Sequence, residues 1–147
     1  MRSLWKFAAV LTLVTICFAN ARAQLTLPPA VQDPDAFAAR IVDTLVKNQV
    51  GEAAKAIAIA IGRPDAADQL SKGLSLLEGK KFDFTKKVID RDYNGGLRQI
   101  VHYALVENVG FLYFRFNFKM TSKGWILGNF FFKDEAQDLF PKDLVSP

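Results

Sequence analysis

His102 is the only histidine in a chain of 147 residues, and Cys17 is the only cysteine. Arg98 stands four positions before His102, with Ile100 between them, so on a regular strand all three side chains point to one face. An arginine offers a planar fork of donors, and a histidine changes charge near neutral pH. Together they have the chemistry to recognise an anion or a carboxylate. The plainer reading, which the sequence favours, makes Arg98 a surface ion-pair partner and His102 a hydrogen-bonded sheet residue. Asp90 and Asp92 also share a strand face, but they lie in Asp90-Arg91-Asp92-Tyr93-Asn94-Gly95-Gly96, which reads as a solvated strand end entering a turn. Ser71, Ser75 and Ser122 look like helix or turn residues, and no G-x-S-x-G is present. With one histidine and no acids at ligand spacing, neither a metal site nor a cofactor is expected.

The first 23 residues bear on what the rest can be. Arg2 and Lys6 form a positive start. Phe7 to Phe18 is apolar but shorter than the ~20 residues that span a bilayer. Ala21-Arg22-Ala23 fits a cleavage site, placing the mature start at Gln24. The expectation is a signal peptide at 1–23 and a periplasmic or secreted product. Thr15-Ile16-Cys17 lacks the small residues of a lipoprotein signal, so no membrane anchoring after cleavage is expected. Cleavage would remove Cys17 and three cations, taking Lys+Arg from 19 to 16 against 15 acids. The +4 charge of the whole chain then shrinks to near neutrality. Only Lys80-Lys81 and Lys86-Lys87 are basic doublets, so a nucleic acid is not expected as partner.

These candidates need elements to position them. Residues 24–34 read as a flexible leader. Asp33-Pro34-Asp35 opens a helix, with Asp33 as cap and Pro34 at the first position. Phe37, Ile41, Leu45 and Asn48 follow at helical spacing, opposite Arg40, Asp43 and Lys47. Val50-Gly51 is expected to break or bend this helix. Glu52 to Ile61 is a second, Ala-rich helix with Ile57, Ile59 and Ile61 as bulk, stopped by Gly62. A third begins at Pro64 and carries Ala67, Leu70, Leu74 and Leu77 to Gly79. The period then changes to two. Phe82 to Tyr93 reads as a strand or strand pair, and Leu97 to Val106, Phe111 to Met120 and Trp125 to Phe132 read as strands, separated by Asn-Gly-type and Gly-containing turns. Helices followed by consecutive strands make one α+β domain over 35–140, with residues 141–147 as a tail.

Three strings in its second half, LRQIVHYAL, FLYFRFNF and GWILGNFFFKDEAQDLF, resemble small exported bacterial proteins of the nuclear transport factor two-like superfamily. The likeness spans roughly residues 35–140. It implies three N-terminal helices packed in a cone against a curved antiparallel sheet of about four strands. It also implies a choice among isomerases, dehydratases, ligand-binding proteins and interaction domains. In the ketosteroid-isomerase branch a pocket carboxylate removes a proton beside a carbonyl, and a tyrosine or a protonated acid stabilises the oxyanion. Asp90 or Asp92 with Tyr103 would take those roles here, although the isomerase motif itself is absent.

The aromatic residues raise a different expectation. Phe114, Phe116 and Phe118 alternate along one strand and suit a core. Phe111, Tyr113, Trp125 and Phe131 are read as the opposite face, which needs a cover. The expectation is therefore a non-enzymatic binding or interaction domain. It would hold a partner protein or a small apolar ligand in the cone, and form a homodimer through its sheet. A small isomerase-like or dehydratase-like enzyme is the alternative.

Overall fold

A computed structural model describes residues 27–134. The signal-peptide reading, its Ala23/Gln24 cleavage point, and the segments 135–140 and 141–147 lie outside these residues. The domain is α+β: three helices and an open four-stranded antiparallel sheet of order β1-β2-β3-β4. Among the described residues, no helix is long and apolar enough to cross a membrane.

Helix α1 spans Pro34–Val46. The Asp33 carboxylate accepts hydrogen bonds from the N–H groups of Asp35 and Ala36, satisfying donors that the first turn leaves open. Phe37, Ile41, Val42 and Leu45 face the core. Asn48 does not extend this stripe. It is exposed and adopts φ +59°, turning the chain into α2, Val50–Ala60. The break therefore falls before Val50, and Gly51 lies within α2. Ala53, Ala54, Ile57 and Ala58 are buried, but Ile59 is 44% exposed, so α2 is apolar on more sides than it buries. Gly62 ends it at φ +73°. A 3-10 turn at Pro64–Ala66 leads into α3, Ala67–Leu74, whose Leu74 joins Leu77 in the core.

The strands are β1 (Phe82–Tyr93), β2 (Leu97–Val106), β3 (Gly110–Thr121) and β4 (Gly124–Lys133). Asn94 and Gly95 both have positive φ, the geometry of a tight hairpin whose twist matches that of the strands. Residues opposite one another in the register point to the same face. Ile100, Ala104, Val106, Leu112, Phe114, Phe116, Phe118 and Leu127 are buried on the helix-facing side. Phe37 of α1 meets Phe118 edge-on with ring centroids 6.1 Å apart.

Three irregularities reset the alternation, the first at Asp83 in β1, between the Phe82–Val106 and Phe84–Leu105 pairs. Further along β1 an extra residue, Val88, lies between the Lys87–His102 and Ile89–Val101 pairs. In β4 the extra residue is Gly128, between Leu127, paired with Phe118, and Asn129, paired with Asn117. Each is a β-bulge, which inverts the facing of everything beyond it. Gly128 suits its position: a Cβ there would come within 3.3 Å of the Asn117 carbonyl oxygen. Residues 27–33, expected as a loose leader, run extended against the domain. Val31 is buried, and its N–H donates to the Trp125 carbonyl at 2.6 Å.

Candidate functional site

The register assembles Arg98, His102, Asp90 and Asp92 on the helix-facing side of β1 and β2. Asp92 is opposite Arg98, Asp90 opposite Ile100, and Lys87 opposite His102. Arg98 grips Asp90 with two hydrogen bonds, Nε to Oδ1 at 2.8 Å and the terminal nitrogen to Oδ2 at 2.9 Å. Lys87 reaches Asp90 at 3.2 Å and Asp35, in the first turn of α1, at 2.8 Å. The result is a four-membered chain of alternating charge, Asp35–Lys87–Asp90–Arg98, tying the start of α1 to the sheet.

Nε and one terminal nitrogen of Arg98 are thus engaged by a carboxylate of the same chain, the kind of ion pair that the plainer sequence reading expected. The hydrogen bonds from Arg98 hold the Asp90 carboxyl below the usual carboxylate range, against the opposing effect of partial burial. That is the wrong direction for a general base working near neutral pH. Asp92 is exposed and accepts the Gly95 N–H at 2.6 Å, closing the turn.

Tyr103 is on the other face of the sheet, where it leans against Phe84, Phe111 and Tyr113 with centroids 5.5, 6.1 and 6.3 Å away. The sheet therefore separates Tyr103 from both aspartates, and no oxyanion–base pair is assembled from them. Among the described residues, no group of three or more His, Cys, Asp or Glu could hold a metal.

His102 is 8% exposed, the one buried polar or charged side chain in the described core. Its ring meets Phe116 edge-on at 6.4 Å, and Nε2 has no hydrogen-bond partner among the described residues. It is therefore not the hydrogen-bonded sheet histidine expected from sequence. Burial pushes its pKa down, Lys87 adds to that, and Asp35 and Asp90 oppose it. His102 stays neutral at neutral pH, a core residue beside the ionic chain.

The outer face is the second candidate. Phe84, Tyr103, Phe111 and Tyr113 form one aromatic row across β1, β2 and β3, with Leu105 among them. Phe84 is 46% exposed, Phe111 52% and Phe131 41%. The Arg115 guanidinium lies over the Phe131 ring, 4.7 Å from its centroid. Further along, Gln99, Asn117 and Asn129 link β2, β3 and β4 by side-chain amide bonds of 3.1 and 2.6 Å.

Trp125 is not part of this surface. The Gly128 bulge puts it on the helix-facing side, where it packs against the core beside Val31, while Phe131 points out. Strict alternation would have put both on one face. Sequence reasoning also passed over Phe84, Leu105, Asp35 and Lys87. Phe84 was hidden by the β1 irregularities, and Asp35 is 52 positions from its partner Lys87.

No family model matches the chain, and no curated protein matches it. The chain forms an α+β domain with a packed interior, an ionic seam at the first helix and an aromatic outer sheet face.

Proposed function

We propose that the chain is an exported, periplasmic or secreted, interaction domain of the nuclear transport factor two-like type, in which the sheet wraps a cone of helices. Its work is binding rather than catalysis. The outer sheet face is the binding surface, and the partner is a second copy of the chain, giving a homodimer. The observation that carries this reading is the row of Phe84, Tyr103, Phe111 and Tyr113, with three exposed phenylalanines on the same face. Aromatic residues are the usual anchors of protein interfaces, and clustered exposed ones are costly to leave in water. The interior gives less support to a ligand held in the cone, because Phe114, Phe116, Phe118, Leu45 and Ile57 fill it.

The test is native mass spectrometry with sedimentation equilibrium on the purified protein and on Phe111→Arg. A dimer that dissociates in the variant is the expected result, since a charge on an exposed position leaves the fold intact. A monomer at all concentrations, in parent and variant alike, would overturn the dimer.

A further inference from the structure

A groove of about 500 Å³ lies between the segment preceding α1, α1 itself and α2, and shares no lining residue with the outer sheet face. That volume falls within the range of small-molecule sites. The groove exists because small residues line it: Ala30, Ala36, Ala56 and Ala60 leave room between elements that pack closely elsewhere. Its outer wall is pinned at both ends. Val31 pairs with Trp125, and Pro28 lies so close to Gly62 that a Cβ there would sit 3.1 Å from the proline ring. Val31, Phe37 and Ala60 are buried and form apolar floor, while Ile59 stands exposed at the edge.

The groove holds two charges, and they differ in what they are free to do. Asp33 is committed to capping α1 through Oδ1. Arg40 makes no salt bridge among the described residues. Its guanidinium carbon is 5.3 Å from the Phe37 ring centroid, so the aromatic face holds the cation over the groove with its N–H fork available. Seven positions separate the two residues along the helix, a rise of about 10 Å. A ligand lying along α1 thus meets a cation at one end, an apolar trough, and a carboxylate at the other. This favours one anionic head and an uncharged tail, and it disfavours a dicarboxylate.

We propose that this groove binds an aliphatic monocarboxylate of medium chain length, its carboxylate on Arg40 and its chain along Ala36, Ala56, Ile59 and Ala60. The site is independent of the sheet-face dimer and survives if that reading fails.

The experiment is an amide NMR titration of the purified protein with sodium octanoate, and with octan-1-ol as the uncharged control. Octanoate is expected to give saturable shifts at residues 36–40 and 56–60. Arg40→Gln is expected to weaken octanoate by about tenfold, the scale of a lost charge-assisted hydrogen bond, while leaving octanol unchanged. Ala36→Leu, at an exposed position, narrows the trough and weakens both. Three outcomes overturn the proposal: no saturable shift, shifts centred on Phe84, Phe111 and Phe131, or octanoate affinity unchanged in a folded Arg40→Gln protein.

Discussion

Replacing His102 by leucine should make the domain less sensitive to mild acid without weakening it at neutral pH. In the folded protein burial lowers the His102 pKa from its ordinary 6.5. Between 6.5 and that lower value the unfolded chain binds a proton that the folded chain refuses, so stability rises with pH across this window. It is full above 6.5, falls as the pH drops below 6.5, and stops falling once the folded form also protonates. The slope cannot exceed about 1.4 kcal/mol per pH unit, so at about pH 5 the parent has lost at most ~2 kcal/mol from this group. At pH 7 two effects oppose each other. Leucine relieves the unpartnered Nε2, a gain of about 1–3 kcal/mol, and forfeits the edge contact with Phe116, a loss of about 0.5–1.5 kcal/mol. The variant should therefore match or exceed the parent at pH 7 and exceed it by more at pH 5. The assay is urea unfolding of both proteins at steps from pH 5 to 8, followed by far-ultraviolet circular dichroism. Asp35, Lys87 and Asp90 all act on His102; Lys87 has its pKa raised and Asp90 has its pKa lowered by their ion pairs, so neither of these two changes charge in this window. Parallel stability profiles for parent and variant between pH 5 and 6.5 would refute the reasoning, because they would show that His102 does not carry the proton difference.

Asp90→Asn removes the carboxylate that Arg98 and Lys87 share, and should cost about 1–2 kcal/mol in urea unfolding at pH 7, toward the lower end because both partners are part-exposed. The Asp90 pKa is lowered by folding, so its contribution is full above the ordinary 3.8 and is lost as the pH falls below it; this acid-side loss should be smaller in the variant. Asp33→Ala removes the cap of α1 and should cost about 1 kcal/mol, with faster amide exchange at Asp35 and Ala36 as the local readout.

The local elements were largely legible in the sequence because their signals are local. Asp33-Pro34 sets the start of α1 through a cap and a fixed φ, and Gly62 sets the end of α2 by tolerating positive φ. Asn94-Gly95 marks a hairpin, and alternating Phe114, Phe116 and Phe118 mark the buried face of β3. Arg98 and His102 do share a face, as spacing required, because β2 pairs with β3 without interruption.

What the tertiary structure decided is which face and which partner each residue received. The bulges at Val88 and Gly128 leave little trace in a hydrophobicity pattern, since an extra residue shifts the parity without changing composition. Gly128 sends Trp125 inward and Phe131 outward. Asp90 could have been a pocket base until Arg98 and Lys87 were seen to hold it, and Lys87 in turn is held by Asp35 from another element. Ile59 is apolar yet exposed, because α2 buries only the side that its neighbours cover. Caps, turns and alternation act over a few bonds and can be read residue by residue. Facing beyond a bulge, pairing across 52 positions, and cover for an apolar side depend on chain segments that meet only when the domain is folded.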